Sequence, residues 1–143
     1  MPSKAEICTY THRYMNPLDA KPADIVIEDI AHALSLMTRA NGHFPEFYSV
    51  GQHCICCHDE AKARGYSNRL MLACLLHDAG EAYLSDVTRP IKHHMDYYNE
   101  VEGRLLSLIY TKFLGRDLTK EEAELVKSVD DAMLYHEFLH YMD

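Results

Sequence analysis

The sequence predicts an all-α fold, a compact single-domain helical bundle of about five main helices. Apolar residues recur every three or four positions in five segments, and no segment alternates apolar and polar residues as a strand would. Residues typical of helix ends separate these segments. Ser49, Ser67 and Thr119 stand at N-cap positions, and Gly65 and Gly115 stand where helices end.

The first helix is expected between Pro22 and the cap signal Asn41-Gly42. Its apolar positions are Ile27, Ile30, Ala31, Leu34 and Met37. The second helix should extend from Ser49 to Gly65. The third should begin near Ser67 or Asn68 and carry a strongly apolar stretch to His77-Asp78.

A loop follows the third helix, because Ser85, Asp86, Thr88 and Pro90 interrupt the helical spacing. The fourth helix should run from about Met95 to Leu114. Its predicted inner face is Val101, Leu105, Leu108 and Ile109. The fifth opens with the capping-box pattern Thr119–Glu122. The apolar positions of the fifth helix are Ala123, Val126, Val129, Met133 and Leu134.

Chain length and net charge limit the number of domains and the classes of ligand that the protein is expected to bind. A chain of 143 residues is expected to form one domain, 1–143. With 14 basic and 22 acidic residues, a formal charge of −8 argues against binding long nucleic acids, which requires a basic surface. It does not argue against a nucleotide substrate. We find no signal peptide or membrane-span pattern, and five cysteines suggest reduced thiols, so we expect a cytoplasmic protein.

The cluster Cys54-Ile55-Cys56-Cys57 suggests a zinc site, but no second ligand pair stands at structural-zinc spacing. We therefore interpret these cysteines as small buried residues of the second helix. A different set of ionisable residues falls on inward helix faces: His53, His77, Asp78 and Asp130. Each alone could be a structural or solvated residue. Together they would bury unpaired carboxylates at a cost of several kcal/mol or more. One divalent transition metal (Mn, Co, Fe, Ni or Zn) would compensate for that cost.

The order His, His-Asp, Asp resembles the HD-domain superfamily of metal-dependent phosphohydrolases, and is most similar to small bacterial 5'-deoxynucleotidases and phage deoxynucleoside-triphosphate hydrolases. The matching segments are 47–53, 75–83, 86–92 and 126–130. The likeness spans about 22–140, which leaves 1–21 as an N-terminal extension. It implies an HD-type bundle with one metal bound by His53, His77, Asp78 and Asp130. In that alignment Asp131 faces away from the metal.

The resemblance also implies two catalytic residues. Glu81 matches the Glu of the family's HD-x-x-E pattern and would relay a proton between the attacking water and the leaving oxygen. It would otherwise be a solvated residue at a helix end. Asp86 matches a loop Asp that would orient the water or contact the sugar. Its alternative role is that of a turn residue or helix cap.

Three residues are candidates for substrate binding. Arg39, which stands 14 residues before His53, matches an Arg of related deoxynucleotidases that grips the phosphate, a task suited to a guanidinium. It would otherwise be an ordinary charged residue near a helix C-terminus. Lys92 would neutralise a further phosphate or simply face water. Tyr48, with Phe47, would stack on a base or form a hydrophobic plug. His93 and His94 do not align with the additional histidine ligands that an HD site with two metal ions would require.

The favoured function is therefore that of a phosphohydrolase acting on nucleotides, with deoxynucleoside mono- or triphosphates as the expected substrates. The alternatives are a non-catalytic nucleotide-sensing module and a hydrolase of another phosphoester. Related small HD proteins often associate, and the fourth helix would supply the interface of a homo-oligomer.

Overall fold

The computed structural model describes the whole chain, residues 1–143, and is an all-α helical bundle, as predicted. The helices, in chain order, are α1 (Ile27–Leu36), α2 (Val50–Ala63), α3 (Asn68–Leu76), α4 (Glu81–Leu84), α5 (Arg89–Lys92), α6 (Asp96–Leu114) and α7 (Lys120–Met142). Helices α4 and α5 are single turns, so the five longer helices correspond to the five predicted ones. Short 3-10 turns occupy Pro17–Asp19, Pro22–Asp24 and Arg39–Gly42. No helix is long and apolar enough to cross a membrane.

The first helix is shorter than predicted at both ends. It stops at Leu36 because the following chain pairs with the segment before α2. Arg39 N donates to Tyr48 O at 2.8 Å, and Val50 N donates to Met37 O at 2.8 Å. The helix begins at Ile27, one of the apolar positions at helical spacing, and this side chain is 47% exposed.

Helix α2 contacts α1, α3 and α7 and so lies at the centre of the bundle. Its N-cap, Ser49, accepts a hydrogen bond from Gln52 N at 2.9 Å, as the sequence predicted. A Cβ at Gly51 would lie 3.3 Å from the backbone of Leu34, so the glycine permits close packing of α1 on α2. His53 follows in the first turn with no exposed surface.

Helix α7 begins at the predicted capping box, in which Thr119 and Glu122 bond each other's backbone N–H groups. Val126 and Val129 enter the core, whereas Ala123, predicted on the inner face, is exposed. Asp130 and Glu137 are seven residues apart and lie on one face of this helix.

The N-terminal segment was predicted as an extension, and it packs against the bundle. Ile7–Cys8 (β1) and Tyr14–Met15 (β2) form a two-stranded antiparallel sheet, which the sequence did not predict. Thr11 donates to the Asp29 carboxylate from its backbone N at 2.7 Å and from its hydroxyl at 3.1 Å. Met15 is only 2% exposed, so this segment completes one side of the core.

Candidate metal centre and pocket

The four predicted ligands meet where α2, the end of α3 and α7 pack together. The Nε2 atoms of His53 and His77 are 3.3 Å apart. Asp130 Oδ1 lies 2.9 Å from His53 Nε2 and 3.3 Å from His77 Nε2. Asp78 Oδ2 lies 3.6 Å and 3.2 Å from the same two nitrogens. Helix packing thus brings three separate segments to one point.

Both imidazole rings are fixed by a contact on their far side. His77 Nδ1 lies 2.7 Å from Cys74 O, a carbonyl that can only accept a hydrogen bond. His53 Nδ1 contacts Glu137 Oε1. With a proton on each Nδ1, both Nε2 atoms present lone pairs to the shared centre. Metal-binding histidines are oriented by this kind of contact.

The distances from the two imidazole nitrogens to each other and to the carboxylates fit a single ion. A transition metal about 2.1 Å from each donor spaces neighbouring donors about 3.0 Å apart at right angles and about 3.4 Å apart in a tetrahedron. The separations that involve the nitrogens run from 2.9 Å to 3.6 Å. Two imidazoles and two carboxylates accept Mn, Co, Fe, Ni or Zn.

Without a metal ion, protons would stabilise this cluster of imidazoles and carboxylates. Burial opposes charge on His77, but Asp78 and Asp130 outweigh burial and hold the pKa of His77 well above its ordinary 6.5. Burial favours neutral Asp78, yet His77 and His53 lower the pKa of Asp78 to about 2. Despite burial, hydrogen bonds from both histidines also hold the pKa of Asp130 far below its ordinary range. Protons and metal compete for this centre, so metal affinity should rise with pH.

Glu81, the predicted proton relay, lies at the start of α4 and is 6% exposed. Helix α3 ends before it, and a turn in which Glu81 N donates to Asp78 O connects the two helices. Its Oε2 is buried without a hydrogen-bond partner. Burial, followed by the charges of Asp78 and Asp86, raises the pKa of Glu81 to about 10. A carboxyl that keeps its proton at neutral pH can act as a general acid.

Asp86 lies across from Glu81 on the loop before α5. Burial and the charge of Asp78 raise the pKa of Asp86 above its ordinary value. The preceding residue, Ser85, has φ 98° and ψ 159°, a region that is essentially reserved for glycine. Tyr98 donates a hydrogen bond of 2.5 Å to Ser85 O and holds this backbone in place. Strain of this kind is concentrated at functional sites.

Arg39 reaches the centre from the 3-10 turn after α1. Its Nη1 and Nη2 atoms each lie 3.9 Å from a ligand carboxylate, of Asp78 and Asp130 respectively. Its Nε donates to Glu137 Oε2 at 2.5 Å. This arrangement directs the fork of the guanidinium toward the predicted ligands. Ala40 follows in a left-handed conformation with φ 55°, which costs about 1 kcal/mol for a residue with a side chain.

Sequence reasoning missed Glu137. The residue is 6% exposed and accepts hydrogen bonds from His53, Arg39 and Tyr48. It thus contacts both a predicted metal ligand and the predicted phosphate clamp. Its spacing of two helical turns from Asp130 was the available signal.

A cavity of about 440 Å³ opens over the centre, within the range of small-molecule sites. Its floor contains the carboxylates of Asp78, Glu81, Asp86 and Asp130. Cationic side chains on its walls are Arg39, Arg89 and Lys92. One wall is apolar and is formed by Phe44 with Leu134, Phe138 and Met142 of α7. The cavity lining therefore combines charged side chains with apolar ones.

Arg89 is a second functional candidate that the sequence reasoning missed. It bonds Asp131 Oδ1 at 2.8 Å and the outer oxygen of Asp130, Oδ2, at 3.3 Å. Asp131 also pairs with Lys127 at 2.7 Å, so its carboxylate points away from the centre. Lys92 lines the cavity and pairs with Glu102 at 2.6 Å, and its role in phosphate binding stays a prediction.

Tyr48 does not present a stacking face, and this prediction needs correction. The side chain is 8% exposed and packs against Phe44 and Tyr141, and its hydroxyl donates to Glu137 at 3.4 Å. Tyr48 therefore forms a hydrophobic plug, which was the alternative to base stacking that the sequence allowed. Phe47 is 67% exposed outside the cavity lining, and His93 and His94 are exposed.

Comparison with known proteins gives relatives without an assigned activity. No family model matches the chain. The chain is 37% identical over 90 residues to the uncharacterized protein YfdR of Escherichia coli, covering 63% of this chain and 48% of that protein. It is 39% identical over 107 residues to the uncharacterized protein RCAP_rcc00048 of Rhodobacter capsulatus, covering 71% and 54%. The chain thus spans about half the length of the curated relatives it matches.

Proposed function

We propose that this chain is a metal-dependent phosphohydrolase of the HD type that acts on nucleotides, namely deoxynucleoside mono- or triphosphates. One observation carries the proposal. Four predicted ligands, His53, His77, Asp78 and Asp130, direct lone pairs to one buried point beside a cavity with a cationic wall. That combination suits an anionic substrate that must be activated by a cation.

The position of each residue around the predicted metal site indicates its role in the proposed reaction. A divalent ion held by the four ligands would lower the pKa of a water molecule toward ~7 and polarise the phosphorus centre. Glu81 would donate its proton to the leaving oxygen, since its raised pKa keeps it protonated at neutral pH. Asp86, across the same floor, would orient the attacking water as an acceptor.

The cationic residues would bind the phosphate. Arg39 is held by Glu137 through Nε, which leaves its two Nη groups to donate to phosphate oxygens. Arg89 and Lys92 lie on the neighbouring wall and would bind further phosphates of a triphosphate. The apolar wall of α7 would receive the base, with Phe138 in the role that the sequence assigned to Tyr48.

The test is a substrate screen on protein stripped of metal and reloaded with each of Mn, Co, Fe, Ni and Zn. Deoxy- and ribonucleoside mono- and triphosphates would be followed by chromatography of products. Release of triphosphate would identify a triphosphohydrolase, and release of orthophosphate from monophosphates a nucleotidase. Light scattering on the same preparation measures the predicted self-association.

A site variant and a matched control accompany the screen. Asp78→Ala should lose both bound metal and activity, whereas Asp59→Asn, whose side chain is 69% exposed, should keep both. Metal binding and nucleotide binding without turnover under any ion would favour the sensing module. Turnover restricted to other phosphoesters would replace the substrate class, and absence of metal binding would overturn the proposal.

A further inference from the structure

We propose that Cys57 provides a fifth ligand, a thiolate, on the buried side of the metal centre, and that the site therefore selects borderline-soft ions such as Zn²⁺, Co²⁺ or Fe²⁺ over Mn²⁺. The inference rests on the metal centre of the proposed function and adds a residue to it. Neither the sequence pattern nor the family resemblance placed a cysteine in this centre.

The first support is the position of Cys57 relative to the other donors. It follows His53 by four residues in α2, so both side chains lie on one face of the helix. Cys57 Sγ is 3.5 Å from His53 Nε2. Ligand atoms of Cys57, His53, His77 and Asp130 all lie within 4.8 Å of one another, and Asp78, which is outside that set, lies 3.2 Å from His77 Nε2. Donors on opposite sides of one ion are separated by about 4.4 Å, so this set nearly fits a shared coordination sphere.

The second support is burial. Cys57 is 1% exposed and does not line the cavity, whereas Asp78 and Asp130 do. A coordination position on the Cys57 side is therefore closed to substrate and bulk water. Cys57 would therefore hold the ion from the buried side and leave the cavity side to Asp78, Asp130 and the substrate. The buried thiol and the reacting groups would then lie on opposite sides of the ion.

Cys57 is a better candidate than its neighbour Cys54. Cys54 is also buried, and its sulphur shares a compact set only with His77 and Asp78. Cys57 shares its set with three of the predicted ligands and contacts His53 directly. Cys56 lies on the same helix but is only partly buried, and it contacts Gln52 at 3.4 Å. These two cysteines provide matched comparisons.

Binding of the ion by Cys57 requires that the thiol of Cys57 lose its proton. When a divalent ion enters, the S–H bond of Cys57 breaks, its proton passes to solvent, and the sulphur lone pair forms the bond to the ion. No oxidation is involved. A soft thiolate strengthens binding of Zn²⁺ and Co²⁺ more than that of the harder Mn²⁺. Loss of the sulphur should therefore reduce the preference for Zn²⁺ over Mn²⁺ by about tenfold or more.

The test uses the full chain loaded with Co²⁺, whose spectrum reports thiolate ligation independently of activity. Wild type should show the near-ultraviolet thiolate-to-cobalt charge-transfer band together with the visible ligand-field bands. Cys57→Ser should retain bound cobalt and the visible bands and lose the charge-transfer band. Cys56→Ser should keep both. A pH indicator should count one fewer proton released per ion by Cys57→Ser than by wild type.

The outcomes separate this inference from the proposed function. Cobalt bound at the centre without a charge-transfer band in wild type would overturn the thiolate ligand and leave the hydrolase proposal intact. A band that survives Cys57→Ser, or that disappears only in Cys54→Ser, would also overturn it. Absence of cobalt binding would overturn both proposals. If Cys57→Ser fails to fold, Cys54→Ser decides between the two buried cysteines, since a band that it retains supports Cys57 and a band that it loses overturns the proposal.

Discussion

His53 and Glu137 are joined by a contact between His53 Nδ1 and Glu137 Oε1, made across 84 residues of chain. The contact fixes which nitrogen of the ring faces the predicted metal. Because the other oxygen of the same carboxylate accepts from Arg39, Glu137 sets the positions of a predicted metal ligand and of the predicted phosphate-binding group together. Metal affinity and substrate affinity should therefore depend on one another.

Replacing Glu137 with Gln should weaken metal binding. The neutral amide polarises the His53 ring less and no longer offsets the charge of Arg39, so we expect a loss of about 10- to 100-fold in metal affinity. Competition with a chromogenic chelator measures it. Glu124→Gln, on an exposed position of the same helix, is the control and should bind metal normally. Equal losses in both variants would show that the effect is not specific to the His53 contact.

Replacing Glu81 with Gln should leave metal binding intact and reduce turnover by about 10²- to 10⁴-fold, as expected for a lost general acid. Metal content and kcat are measured on the same sample. A fully active variant would exclude the proton-relay role.

The same substitution should change the pH dependence of stability in the metal-free protein. The pKa of Glu81 is raised from 4.5 to about 10 on folding, so below pH 4.5 both states are protonated and the residue has no effect. As pH rises above 4.5, the unfolded chain loses the proton while the folded protein keeps it, which disfavours folding. Glu81→Gln should therefore become more stable than wild type as pH rises from 5 to 8, measured by urea unfolding. A difference that does not vary with pH would contradict the raised pKa.

Arg39→Lys should raise KM for nucleotides by about tenfold or more, because an ammonium cannot replace the paired donors of a guanidinium. The lysine retains the charge, so metal content should change little. Steady-state kinetics with the substrate from the screen provide the measurement. Arg13→Lys changes an exposed arginine outside the cavity and should leave KM unaltered. An unchanged KM in Arg39→Lys would remove this residue from the phosphate site.

Phe138→Ala should weaken nucleotide binding by about tenfold or more if its ring stacks on the base. Hydrolysis of a simple phosphate ester, which has no base, should be unaffected. Leu139→Ala is a matched control, since both side chains are 44% exposed on α7 and only Phe138 lines the cavity. Equal effects on both substrates would show that Phe138 supports the fold rather than the base.

Ser85→Gly should stabilise the metal-free protein by about 1 kcal/mol, because glycine adopts the φ of 98° without strain. Thermal unfolding measures the change. Ser35→Gly in the regular backbone of α1 should destabilise instead, by about 0.5–1 kcal/mol. If the strained backbone at Ser85 positions Asp86, the stabilised variant should also have a lower kcat.

The sequence predicted those parts of the molecule that short-range patterns determine. Helical spacing and caps such as Ser49 and Thr119 located the five main helices. Spacing also placed His53 and Asp130 on inward faces. The end of α1 was wrong because a contact between Met37 and Val50 competes with the helix, and no local pattern indicates that contact.

Long-range contacts were the other limit. Glu137 acquires its partners only when α7 packs against α2 and the Arg39 turn. Arg89 likewise faces Asp130 only because the chain after α4 folds back across α7. Tyr48 was misassigned because an aromatic residue before a ligand is equally compatible with a cavity wall and with a buried plug.

Two strained backbone positions adjoin residues that line the cavity, Ala40 next to Arg39 and Ser85 next to Asp86. Laboratory evolution for heat resistance would be expected to enrich glycine at both positions. Each glycine would relax the backbone that holds a reactive side chain. Selection for thermal stability alone would then yield a more stable protein with a lower kcat. Such an experiment should therefore select for turnover at the same time.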